Sequence, residues 1–219
     1  MRLYIKYVLY LIVFYGSISS HAGSYDDFFT AIKRDDAATV FQLLERGFDP
    51  NTVDPKGQFG LVLAVREPSP KVIDVLLQNP QTKVEVRTPA DESPLMLAAL
   101  KGQTELCQKL IARDADINKP GWTPLHYAAS GGHLEVIQLL LDNHAYIDAA
   151  SPNGSTPLMM AAMYGTTAAV QLLLDAGADV QLRNQLKLSA LDFAVRGSKV
   201  DSIELLTTFI RAANPKGQW

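Results

Sequence analysis

Between Thr123 and Leu141 the order of apolar and polar residues predicts two short helices. Leu125, Ala128 and Ala129 fall at helical spacing, Gly131-Gly132 interrupts, and Leu134 to Leu141 (LEVIQLLL) resumes with an apolar face. Thr123 is placed to cap the first helix, and Pro124 suits its first turn, where a missing N–H costs nothing. The same pattern returns along the chain. Its opening apolar residue is Phe28, Leu61, Leu95, Leu125, Leu158 and Leu191, at steps of 33, 34, 30, 33 and 33 residues. Three residues beyond each stands an alanine: Ala31, Ala64, Ala98, Ala128, Ala161 and Ala194. Two further registers mark the second helix of each unit. One holds Val40, Ile73, Cys107, Ile137, Val170 and Ile203, the other Leu43, Leu76, Leu110, Leu140, Leu173 and Leu206. The chain therefore reads as six repeated helix-turn-helix units joined by extended turns. A small side chain at the shared alanine lets stacked helices approach closely, and leucine there would overpack the seam.

The stretch Thr123 to Ala129, TPLHYAA, resembles the T-P-L-H-x-A signature of the ankyrin repeat, whose period is about 33 residues. Ser93 to Ala99 (SPLMLAA) and Thr156 to Ala162 (TPLMMAA) are close variants, and Asp175 to Val180 (DAGADV) matches the loop that ends a unit, with Glu45 to Asn51 (ERGFDPN) a looser copy. The resemblance implies an all-α repeat solenoid of six stacked helix-turn-helix units with short β-turn fingers. It covers residues 23–211, with units at about 24–54, 55–87, 88–118, 119–150, 151–183 and 184–211, followed by a tail at 212–219. Several units depart from the pattern. Unit two has Phe59-Gly60 where the Thr-Pro pair belongs and Glu67 to Pro70 (EPSP) where the glycine turn belongs. Unit one lacks the Thr-Pro pair, and unit six has Ser189-Ala190, with Asp192 in the place of histidine. End units of a stack show one face to water and are expected to be atypical; unit two is internal, so its turn reads either as local drift or as a specialised surface. Asn118 to Thr123 (NKPGWT) is three residues shorter than Asp148 to Thr156 (DAASPNGST), which predicts a notch in the row of fingers.

Candidate chemistry is sparse. By resemblance to the family, His126 bonds the Thr123 hydroxyl and nearby backbone, and His133 braces the turn after the glycines. Neither has a third group to complete a catalytic or metal-binding set, because His21 and His144 lie elsewhere in the chain. Cys107 shares a core register, so it reads as a small buried hydrophobe. No nucleophile elbow, phosphate-binding loop or paired-cysteine zinc spacing occurs. Asp26-Asp27 and Asp35-Asp36 read as solvated helix ends, and Asp114 to Asn118 (DADIN) as part of the repeat's own turn rather than a calcium loop. The expectation is a protein that is not an enzyme and takes no cofactor and no metal.

The first 22 residues have a different character. Arg2 and Lys6 precede an apolar run from Tyr7 to Ile18, and Ser20-His21-Ala22 supplies small residues at a cleavage site. This is the three-part pattern of a secretory signal peptide at 1–22, too short for a membrane span and interrupted by Gly16 and Ser17. Cleavage after Ala22 removes Arg2 and Lys6 and leaves 18 basic against 23 acidic residues, a net charge of −5, compared with −3 for the whole chain. An acidic balance gives no electrostatic case for nucleic acid. With one cysteine there is no internal disulfide, so the periplasm is the expected location and secretion the alternative.

In ankyrin proteins contacts come from the finger tips and the exposed ends of the first helices. The resemblance maps these to Glu92, Trp122, Ser155 and Leu188 before the Thr-Pro place, and to Leu100-Lys101, Ser130-Gly131, Met163-Tyr164 and Arg196-Gly197 before the turn. Trp122 is the chosen anchor, with Leu100, Met163 and Tyr164 forming an apolar strip rimmed by Lys101, Lys119 and Arg196. The competing reading has Trp122 folding over its own loop. The function expected is protein–protein binding by a monomer, either inhibiting or chaperoning a secreted or envelope enzyme. The alternatives are a scaffold for a periplasmic enzyme such as a catalase, and a secreted effector that binds a host protein.

Overall fold

The computed structural model describes residues 23–213, so the segment read as a signal peptide and residues 214–219 lie outside the described residues. The chain divides into two compact units, one ending at Pro89 and the other beginning at Ala90. In the first unit, helix α1 (residues 23–33) and α2 (Ala37–Glu45) form one hairpin, and α3 (Gly60–Arg66) and α4 (Pro70–Gln78) a second. The second unit holds four hairpins: α5 (Pro94–Leu100) with α6 (Thr104–Ile111), α7 (Pro124–Gly131) with α8 (Leu134–Asp142), α9 (Pro157–Met163) with α10 (Thr167–Asp175), and α11 (Ala190–Arg196) with α12 (Val200–Ala213). There α5, α7, α9 and α11 pack side by side in one layer, and α6, α8, α10 and α12 in another. The fold is an all-α repeat solenoid. Among the described residues the only bridge-type pairing is Val53 with Phe59, at the finger of the first unit.

The repeat registers form the core. All six register alanines are buried, as are the leucines of the second helices from Leu43 to Leu206. The alanine also closes its hairpin through its backbone. Its carbonyl accepts from the residue that opens the second helix, in Asp36 N–H to Ala31 O (2.9 Å), Ser69 to Ala64 (3.0 Å), Gln103 to Ala98 (3.0 Å), His133 to Ala128 (3.1 Å) and Lys199 to Ala194 (3.0 Å). The EPSP turn of unit two therefore keeps the same closing bond as its neighbours, despite lacking glycine.

A capping box opens each first helix of the second unit, with a different residue returning the bond. The Ser93 and Thr156 amides donate to the sulfurs of Met96 and Met159 (3.4 Å each), the Thr123 amide to His126 Nδ1 (3.2 Å), and the Ser189 amide to an Asp192 carboxylate oxygen (2.7 Å). Each satisfies a backbone donor that has no helical acceptor. Asp192, a departure at the sequence level, thus performs the histidine's task. The bonds from the Ser189 amide and hydroxyl hold its carboxyl below the usual carboxylate range.

The other departure, Phe59-Gly60, has a steric cause. Phe28 is fully buried, and a Cβ on Gly60 would stand 2.7 Å from the Phe28 ring. Phenylalanine fills the place that leucine takes in the five other units, and glycine opposite makes room for it. Gly60→Ala is expected to cost about 2 kcal/mol by overpacking. Phe28→Leu made in the same chain should return roughly 1 kcal/mol of that loss. Urea midpoints of the two single variants and the double variant check the coupling; strictly additive losses would contradict it.

Candidate partner-binding surface

The finger between α6 and α7 is fixed from beneath. The Lys119 side chain is buried, with Nζ on the Asp91 carboxylate and also donating to the Trp122 carbonyl (3.2 Å). In the next residue, the Thr123 hydroxyl meets His126 Nδ1 at 2.9 Å, and His126 Nε2 meets the Ser155 carbonyl at 2.9 Å. A carbonyl can only accept, so Nε2 carries the proton, and Nδ1 accepts from both the amide and the hydroxyl of Thr123. Ser155 is held in turn by the Ser151 hydroxyl (3.0 Å to its amide) and by Asn184 Nδ2 (3.2 Å to its hydroxyl). Burial, with a smaller push from Lys119, lowers the His126 pKa to about 4 against the raising effect of backbone bonds at Ser155 and Ala149. The ring is neutral and fully engaged at physiological pH. It braces a turn, as the sequence implied.

His133 has a separate role, with Nε2 at 2.9 Å from the Leu100 carbonyl of the preceding hairpin. In unit six Lys199 holds the corresponding bond to the Gly165 carbonyl (3.1 Å), and in unit two the Ser69 hydroxyl donates to Ile32 (2.6 Å). Asn118, from the stretch set aside as a calcium loop, ties its finger to the next one. Its side chain donates to the His144 carbonyl and accepts from the Tyr146 amide, both at 2.8 Å. Cys107 is buried, and burial raises its thiol pKa to about 12, so it carries no thiolate in the folded protein.

The positions proposed for contact separate into two groups. Leu100 (41% exposed), Lys101, Tyr164 (58% exposed) and Arg196 face solvent, and Glu92, Trp122, Met163 and Leu188 are half-buried. Lys119 and Ser155 are corrections: both are buried, and they support the surface from within instead of lining it. Their place at finger tips misled, because this finger turns those side chains inward onto Asp91 and onto the α7 histidine's network.

Trp122 packs inward and also borders a hollow. Its ring stands edge-on to His126, centroids 5.2 Å apart, and also walls a hollow of about 240 Å³ lined by Leu100, Trp122, His126, Tyr127, Ser130 and Met160. Leu100 and Trp122 meet there as expected. Met163 and Tyr164 do not line it; Tyr127, Ser130 and Met160 do, and sequence reasoning missed them. The signal was present, since Tyr127 and Ser130 are three apart on α7 and Met160 lies one 33-residue step beyond Tyr127. In the first unit a larger hollow of about 600 Å³ is lined by residues that include Tyr25, Phe29, Lys33, Lys56 and Arg66. No described helix is long and apolar enough to cross a membrane.

The family model described as "Ankyrin repeats (3 copies)" matches residues 28–120, 82–151 and 143–216. Neurogenic locus notch homolog protein 2 of Homo sapiens is 35% identical over 118 residues, 52% of this chain and 5% of that protein. Ankyrin repeat and SAM domain-containing protein 6 of Rattus norvegicus is 34% identical over 102 residues, 45% of this chain and 10% of that protein. The chain thus spans a tenth or less of these relatives' length. Among solved structures, a chain from the complex of a predatory endopeptidase of Bdellovibrio bacteriovorus with an immunity protein is similar at 25% identity and a TM-score of 0.73, over 83% of this chain and 97% of that one.

Proposed function

Because this chain belongs to the ankyrin-repeat family, a binding module and not a catalytic one, we propose that it binds a secreted or envelope enzyme outside the cytoplasm and inhibits or chaperones it. The observation that carries this reading is the likeness, over most of both chains, to a chain solved in an endopeptidase–immunity protein complex. The geometry agrees with it. The four stacked hairpins of the second unit present a continuous surface, and two titratable groups beside its anchor are spent: His126 is neutral and internally bonded, and Lys119 is paired. Such a surface can occlude another protein's active site. The amino-terminal pattern, basic then apolar then small, supports export to the periplasm.

Affinity capture from envelope fractions with immobilised residues 23–219, followed by assay of the captured enzyme, tests the proposal. An enzyme captured at fixed stoichiometry and silenced on binding is the expected result. Trp122→Ala should abolish capture and lower stability by only about 1 kcal/mol, the worth of one ring contact. A captured enzyme that keeps or gains activity would replace inhibition with a scaffold role. Failure to capture any enzyme would overturn the proposal.

A further inference from the structure

From the hollow beside Trp122 we infer the chemistry of what it receives: one uncharged aliphatic or aromatic side chain projecting from the partner protein. The inference rests on the proposed function and concerns the same surface. Its basis is the state of the lining atoms. The Ser130 hydroxyl is spent on the His126 carbonyl (2.8 Å). Both ring nitrogens of His126 are spent, on Thr123 and on the Ser155 carbonyl. The rest of the lining is mostly carbon, from Leu100, Met160 and the faces of the Trp122 and Tyr127 rings.

Complementarity follows from that inventory. A charged group entering the hollow would leave water for a lining that is mostly carbon, where the His126 nitrogens and the Ser130 proton are already committed to the repeat's own bonds. Burying a polar group without a partner is unfavourable, whereas burying carbon against carbon is favourable in proportion to area. Leu100, 41% exposed, has apolar surface still to cover. The indole wall is anchored through its backbone to Lys119 and through its ring to His126, so the hollow exists before anything binds and little ordering accompanies occupation.

Capped amino acid amides serve as partner-independent probes. With the methionine and leucine methyl groups labelled, N-acetyl-leucinamide and N-acetyl-phenylalaninamide are expected to shift the Met160 and Leu100 methyl resonances along saturable curves. N-acetyl-lysinamide and the glutamate equivalent should leave them in place. Leu100→Asp, at an exposed site where folding is retained, should weaken the apolar probes at least tenfold. The inference is overturned if charged probes bind as well as apolar ones, or if the apolar probes leave Met160 unmoved. Probe binding without enzyme capture would remove only the proposed function. Capture and inhibition of an enzyme by a chain whose Met160 ignores apolar probes would remove only this inference.

Discussion

Gly165→Ala is expected to lower the stability of the second unit by about 3 kcal/mol, a drop of roughly 6–12 °C in melting temperature. Gly165 is buried where α9 closes, and a Cβ there would press into the Ala129 carbonyl of the preceding hairpin, well under 3 Å away, while also standing 2.9 Å from the Ala161 carbonyl. Both obstacles are backbone, so no side-chain rotation relieves the clash. Gly131 and Gly197 do the same at α7 and α11, where a Cβ would meet the Leu100 and Met163 carbonyls at 2.9 and 2.5 Å. An alanine usually stabilises a site by restricting the unfolded chain; here the folded-state clash dominates and reverses the sign. Gly177→Ala is the comparison. That glycine has φ +98° and nothing within 4 Å of a Cβ, so it suffers conformational strain alone, about 1 kcal/mol. Thermal and urea unfolding of the two variants should rank Gly165→Ala clearly lower. Equal losses would show that hairpin spacing is not set by this contact.

The second large effect concerns His126 and pH. Its folded pKa of about 4 lies below the 6.5 of a free histidine, chiefly because the ring is buried. Between those values the unfolded chain binds the proton and the folded chain does not, so stability falls as pH is lowered from about 6.5 to about 4. The ring's share of that loss is on the order of 3 kcal/mol. Above pH 6.5 it contributes in full, and below about 4 the loss is complete. His126→Gln should cost a few kcal/mol at pH 7.5, since a buried side chain bridging Thr123 and the Ser155 carbonyl is replaced by one that cannot reach both in the same way. At pH 4 the variant and the unaltered protein should have nearly the same urea midpoint. A difference that stays constant from pH 7.5 to pH 4 would mean that the ring does not need to be neutral.

Much of the architecture was legible in the sequence because it is periodic. One sequence step moves a residue to the same place in the next hairpin, so the buried alanines and leucines could be read from spacing alone. The turn-bracing roles of His126 and His133 were legible from the resemblance to the ankyrin signature, not from spacing. What escaped was either aperiodic or between backbone atoms. The pairing of Lys119 with Asp91 joins residues 28 apart, off the repeat step, and turned an expected rim cation into an internal brace. Gly131 read only as a helix interruption and Gly165 drew no reading, yet these glycines and Gly197 let a neighbour's carbonyl approach. The hollow was half visible: Leu100 and Trp122 stand where the family's contacts lie, but Tyr127 and Met160 sit inside helical runs, where an apolar residue reads as core. Phe59-Gly60 stood as an unexplained departure from the Thr-Pro pair until the Phe28 ring opposite Gly60 accounted for it.

The burial of Cys107 also bears on the oxidising setting proposed for this protein. An unpaired thiol in such a place invites covalent cross-linking between copies, and other chains commonly solve this by pairing or deleting the cysteine. Here the packed second-helix layer keeps the sulfur out of reach, so the folded chain does not offer it for cross-linking. Only a molecule that has lost that layer can be trapped as a linked pair.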